Sequence, residues 1–197
     1  DGVSRAIDHE QRVAGHLGRY AFYRTPSELN RAWCLDRTNG NVHFFMSEAN
    51  GSKLPNDPDA FCAEQDIDTY RALVAQHPEN AVALNGLADA LSRAGQLKEA
   101  RTAAQKAVSL DPNNGMLLDT LGWIQYQQAV LTAAYTTLTE ALVHLPDHPI
   151  VLYHLGATAQ ALDRPHEAIV HYERSISMGG DHGELELARD ALEVLQR

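Results

Sequence analysis

Large apolar residues recur at spacings of three and four through the second two-thirds of the chain. In "LLDTLGWIQYQQAVLTAAYTTLTEALVHLP", Leu117 to Pro146, such a stripe runs, breaks and resumes, which predicts two amphipathic helices joined in a hairpin. The stretch holds no residue group that does chemistry; it is built to pack. Pro78, Pro112 and Pro146 stand 34 residues apart, each after an apolar run. Proline ends a helix because it lacks the N–H of the ladder and clashes with the preceding turn. A fixed period of this length is the mark of a repeat protein.

Windows that begin three residues after each proline cover 81–114, 115–148 and 149–182, and they agree column by column. Leu84, Leu118 and Leu152 share a column, as do Leu87, Leu121 and Leu155. Small residues follow at Ala88, Gly122 and Gly156, then at Ala100, Ala134 and Ala168. Ala107, Ala141 and Ser175 precede Val108, Leu142 and Ile176. Recurrent small residues let two helices approach closely. Each window therefore predicts a helix–turn–helix unit, with helices over 81–94 and 97–110, 115–128 and 131–144, 149–162 and 165–178. Pro165 suits the first turn of its helix, where a missing N–H costs nothing. The turn column holds Gly95, Ala129 and Asp163. Alanine in a left-handed turn is disfavoured by roughly 1 kcal/mol, so the middle hairpin is expected to turn differently. The third window closes on Gly180 instead of proline.

At these residues the chain resembles the tetratricopeptide repeat family, in its bacterial tandem form. The family's apolar residue, Leu-Gly pair, second-helix Ala, large residue, further Ala and closing Pro are met in "LLDTLGWIQY…AAYTTLTEALVHLP" and "VLYHLGATAQ…EAIVHYERSI". The resemblance implies a mainly α fold, an α-solenoid of three repeats over 66–197. "DIDTYRALVAQHP" (66–78) aligns as a preceding half-repeat. "GELELARDALEVLQR" (183–197) is amphipathic and suits the terminal cap that stacked repeats need.

The resemblance also implies that the first helices of successive repeats line a concave groove, faced by positions 5, 9 and 12 of each window. These are Asn85, Asp89 and Ser92, then Asp119, Trp123 and Tyr126, then Tyr153, Ala157 and Gln160. Members that bind chaperone tails clamp a carboxylate with Lys, Arg and Asn, and these positions hold no cation, so that role is disfavoured. Trp123, Tyr126 and Tyr153 beside Asp89 and Asp119 suit an apolar or basic segment of a protein or peptide partner. The competing reading has Trp123 packed between repeats.

Residues 1–65 lack the period. "SRAIDHEQRVAGHLG" predicts a short helix between Ser4 and Gly18. "RYAFYR" (19–24), "RAWCL" (31–35) and "NVHFFM" (41–46) are aromatic and β-favouring, and the last two flank "DRTNG", whose Asn39-Gly40 is a hairpin signal. A small N-terminal element containing a β-hairpin is expected, with 47–60 as loop. The hairpin piece resembles strand–turn–strand elements found outside the membrane in some tethered bacterial proteins.

Composition then excludes some functions. Hydrophobic residues make up 44% of 197, enough for a core, and the formal net charge is −10. Residues 66–197 hold 9 Lys and Arg against 17 Asp and Glu, or −8; residues 1–65 hold 7 against 9, or −2. Nucleic acid is excluded as the main partner, because phosphate contacts need clustered cations. No apolar run reaches the roughly 18 residues of a membrane span. The chain starts at Asp1, which leaves room for an upstream signal or tether. A periplasmic or otherwise extracytoplasmic location is expected, with the cytoplasm as the alternative.

Cys34 and Cys62 are open to two readings, two buried free thiols or a disulfide tying the hairpin to the helices. A disulfide would stabilise by about 3 kcal/mol and imply an oxidising compartment. His144 and His148 are separated by Pro146, and His166 and His171 diverge by about 140° around a helix, so neither pair has metal spacing. The motifs G-x-S-x-G, GxGxxG and GxxxxGK[ST] are absent. A Cys34–His43 pair across the hairpin lacks a third group, and "NGS" at 50–52 reads as a turn more readily than as a glycosylation sequon. No cofactor, metal or catalytic residue is expected. The expected function is a non-enzymatic interaction module or scaffold; the alternative is a structural subunit that self-associates or docks permanently in a larger complex.

Overall fold

The computed structural model describes the backbone of residues 20–24, 31–36, 42–46, 58–179 and 183–196, and the side chains of 66–179 and 184–196. It divides into two units, Asp1–Gln65 and Asp66–Arg197. In the first unit, β1 (Tyr20–Arg24), β2 (Arg31–Asp36) and β3 (Val42–Met46) pair antiparallel in that order. These are the three expected strands, each within a residue. The register sets Cys34 opposite Phe22 and His43. The expected helix over 4–18 and the Asn39-Gly40 turn lie outside the described residues, as do the side chains of Cys34 and Cys62.

Eight helices are described. The first, α1 (Pro58–Gln76), starts inside the stretch expected to be loop. Proline is tolerated in a helix's first turn, so Pro58 can open the helix, and the expected half-repeat is its C-terminal part. Then come α2 (Ala81–Arg93) and α3 (Leu97–Leu110), α4 (Gly115–Gln127) and α5 (Leu131–His144), and α6 (Pro149–Ala161) and α7 (Pro165–Met178), with α8 (Gly183–Leu195) last. The first helices are capped in register. Asn80 Oδ1 accepts from Ala83 N at 3.0 Å and Asn114 Oδ1 from Met116 N at 3.1 Å. His148, in the same column, makes no such cap and keeps Nδ1 buried without a partner.

Each hairpin packs on itself, and its second helix packs on the first helix of the next. First helices also touch directly, α2 on α4, α4 on α6 and α6 on α8. The stack therefore bends toward its first helices, which form the inner face. Residue size is matched between the two helices of a repeat. In the third repeat, a Cβ on Gly156 would lie 2.8 Å from the ring of the fully buried Tyr172; in the second, a Cβ on Gly122 would lie 2.6 Å from Leu138 Cγ. The first repeat has Ala88 and Ala104 in those two columns, both fully buried. A large residue on one helix thus requires glycine on the other, and two alanines fill the same space.

The middle hairpin does not turn differently. Ala129 adopts φ +58°, beside Gly95 at +73° and Asp163 at +58°. All three turns close with the same pair of bonds: Gly95 N to Ser92 O and Gln96 N to Leu91 O, with Ala129/Val130 and Asp163/Arg164 donating equivalently. The packing of the hairpin imposes the turn, and alanine accepts the strain.

Candidate partner-binding face

Positions 2, 5, 9 and 12 of a helix fall on one stripe, and on the first helices that stripe is the inner face. Its centre is a ring cluster built from α4 and α6. Trp123 stacks on Tyr126, one turn along, with centroids 4.6 Å apart at 10°. It also stacks on His154 of the next repeat at 4.0 Å and 16°, and leans on Tyr153 at 6.0 Å and 50°. Trp123, Tyr126 and Tyr153 are half-buried. Packing between repeats and exposure on the inner face, offered as alternatives by the sequence, are both true of Trp123.

Beneath the rings His154 donates from Nδ1 to Asp119 Oδ1 at 2.8 Å, with the residues 7% and 5% exposed. The bond fixes the imidazole plane on which the indole rests. Tyr172 lies at the back of the cluster, 6.0 Å from Tyr153, and donates its hydroxyl to Gln160 Oε1 at 2.8 Å. Burial, followed by Tyr126 and Glu184, pushes the Tyr153 phenol up to about 12. Burial also raises Tyr172, with Tyr153 and Tyr126 adding to it. Both phenols are thus neutral hydrogen-bonding groups on apolar bodies.

The other expected positions are spent within the chain. Asp89 pairs with Arg93 at 3.3 Å, and Arg93 reaches Asp66 at the same distance. Ser92 is buried and donates to Gln127 Oε1, and Ala157 is buried. Asn85 keeps its side-chain oxygen buried with no donor. The expected acidic wall is therefore narrower than its sequence suggested. Asp119 is buried beneath the rings, and Asp89 shares its charge with Arg93, a cation one turn away that position counting leaves out.

Sequence reasoning missed two features. Position 2 is an apolar row, Val82 at 74% exposure, Met116 at 44% and the half-buried Ile150. The alignment of the windows carries that signal. His154 has none, since its column reads Gly86, Thr120 and His154. Among the described residues no three His, Cys, Asp or Glu side chains gather as a metal site would need, and no helix is long and apolar enough to cross a membrane.

Comparison with known proteins agrees with this geometry. The family described as Tetratricopeptide repeat matches residues 67–115, the half-repeat and the first full repeat. A TPR repeat-containing protein of Pseudomonas aeruginosa is 41% identical over 87 residues, which are 44% of this chain and 15% of that protein. Among solved structures, MamA superposes with a TM-score of 0.58 at 21% identity, covering 72% of this chain and 84% of its own. The first TPR of Spaghetti (RPAP3), bound to an HSP90 peptide, superposes at 0.53 with 19% identity, covering 59% and 94%. Period, hairpin packing and these likenesses agree: the helical unit is built of tetratricopeptide repeats, the family that residues 67–115 match.

Proposed function

We propose that the chain is a non-catalytic protein-binding module whose inner face takes an apolar or basic segment of a partner. One observation carries this reading: three aromatic rings stand half-exposed on a single face, anchored from beneath by the Asp119–His154 bond. Rigid Trp and Tyr side chains contribute large contact area at small entropic cost and dominate binding hot spots. The rings are flanked by the apolar row of Val82, Met116 and Ile150, so the contact surface is wide. A structural neighbour is solved with a peptide bound, which supports the same use of the fold. The stripe positions hold no Lys or Arg to grip a carboxylate, so the segment is not recognised by an acidic tail.

Peptides selected on the full chain by phage display provide the test. Trp123→Ala with Tyr153→Ala should weaken the selected peptides about 10- to 30-fold, as for loss of hot-spot aromatics, with circular dichroism unchanged. Equal affinity in a folded variant would reject the face.

A further inference from the structure

The 34-residue register continues past the third window. α8 begins at Gly183, and 149 + 34 = 183, so it is the first helix of a fourth window. Leu185 and Ala188 bury as positions 3 and 6, with Ala188 in the cluster of Ala159, Ala168 and Tyr172. Positions 4, 7, 8 and 11, which a second helix would cover, carry Glu186, Arg189, Asp190 and Glu193. That side is solvated, as a terminal helix requires. The binding stripe is different. Its positions 5, 9 and 12 are Leu187, Ala191 and Val194, and Leu187 and Val194 are 48% and 64% exposed. Solvating the end of the stack does not call for apolar residues there. At position 2, Glu184 stands near enough to Tyr153 to oppose its ionisation.

We propose that α8 is the fourth rung of the inner face, and that this face takes an amphipathic basic helix of a partner protein. The proposal rests on the binding-face reading above. The apolar side of the partner helix lies over Trp123, Tyr153, Leu187 and Val194. Charge sets the sign of its other side. The four stripes hold no Lys or Arg; with Asp119 buried on His154 and Asp89 paired with Arg93, the negative sign comes from Glu184 on α8 and from a unit of 9 cations against 17 anions. Neighbouring helices sit about 10 Å apart, so the rungs α4, α6 and α8 span roughly 20 Å, close to four turns of a ligand helix.

The test follows Trp123 fluorescence in the full chain carrying Trp33→Phe. The probe is an 18-residue Leu/Lys peptide with one apolar face; a Leu/Glu version and a scrambled Leu/Lys peptide are the controls. Saturable binding of the first probe, at least tenfold tighter than either control, is expected. Leu187→Gln and Val194→Gln, which keep charge and do not lower helix propensity, should each weaken it severalfold, and Glu186→Gln should not. If Tyr153→Ala weakens binding and Leu187→Gln does not, the face stands and α8 is no part of it. If neither matters, both readings fail. Failure of the Leu/Lys probe to bind, or equal binding by the scrambled peptide, rejects the basic helix. A smaller mass for Leu187→Gln in light scattering would show that a second copy occupies the rung, and would also overturn the proposal.

Discussion

At Ala129 the backbone turns with φ +58°, where a β-carbon crowds the following carbonyl at a cost of about 1–2 kcal/mol. Gly95 makes the same turn in the first repeat without that cost. Glycine also loses more entropy on folding, which returns about 0.4–1 kcal/mol of the gain. Ala129→Gly should therefore stabilise the chain by about 0.5–1 kcal/mol, read as a higher urea midpoint at unchanged slope. No change would mean that the turn relaxes around alanine. The sequence showed the clash correctly and misjudged its outcome. A local preference of this size yields to the packing of two whole helices.

Between elements, the decisive contact is Asp119 on α4 with His154 on α6. Removing one partner leaves the other buried without compensation, whereas removing both does not. His154→Leu should cost about 3 kcal/mol, and adding Asp119→Leu should recover most of it. Thermal unfolding of the two single variants and the double variant completes the cycle. Additive losses would show that the bond contributes nothing beyond its separate packing. The helices themselves were legible from period and proline spacing, to within a residue from α2 to α7. The start of α1 was not, because Pro58 looks like a loop signal and serves as a helix opener.

At the scale of the whole molecule, half-burial of His171 makes the folded state sensitive to acid. Desolvation holds His171 below its usual range; Glu167 opposes that shift and Arg174 adds to it. Its Nδ1 is buried without a partner. A lowered folded value means that the unfolded chain takes up the proton first. This contribution is fully present above about pH 6.5, is lost as pH falls through the folded value, and is level below that. His171→Gln should flatten the fall in unfolding free energy between pH 7 and 5 relative to the parent. Parallel curves for parent and variant would show that His171 titrates as it does in the unfolded chain.

The amino-acid order alone determined the period and the hairpins, because each of these repeats a local spacing along one chain; the stripe and its aromatic residues were expected only from the resemblance to tetratricopeptide repeats. The order did not determine which of those residues remain available to a partner. Asp119 meets His154 across 35 residues, and Asp89 meets Arg93, which meets Asp66 on another helix. Asp119–His154 and Arg93–Asp66 each join two different helices, so they depend on how each helix seats on its neighbours, whereas Asp89–Arg93 is an i,i+4 contact within α2. Stacking buried Asp119 against His154 and left the rings and the apolar row facing outward.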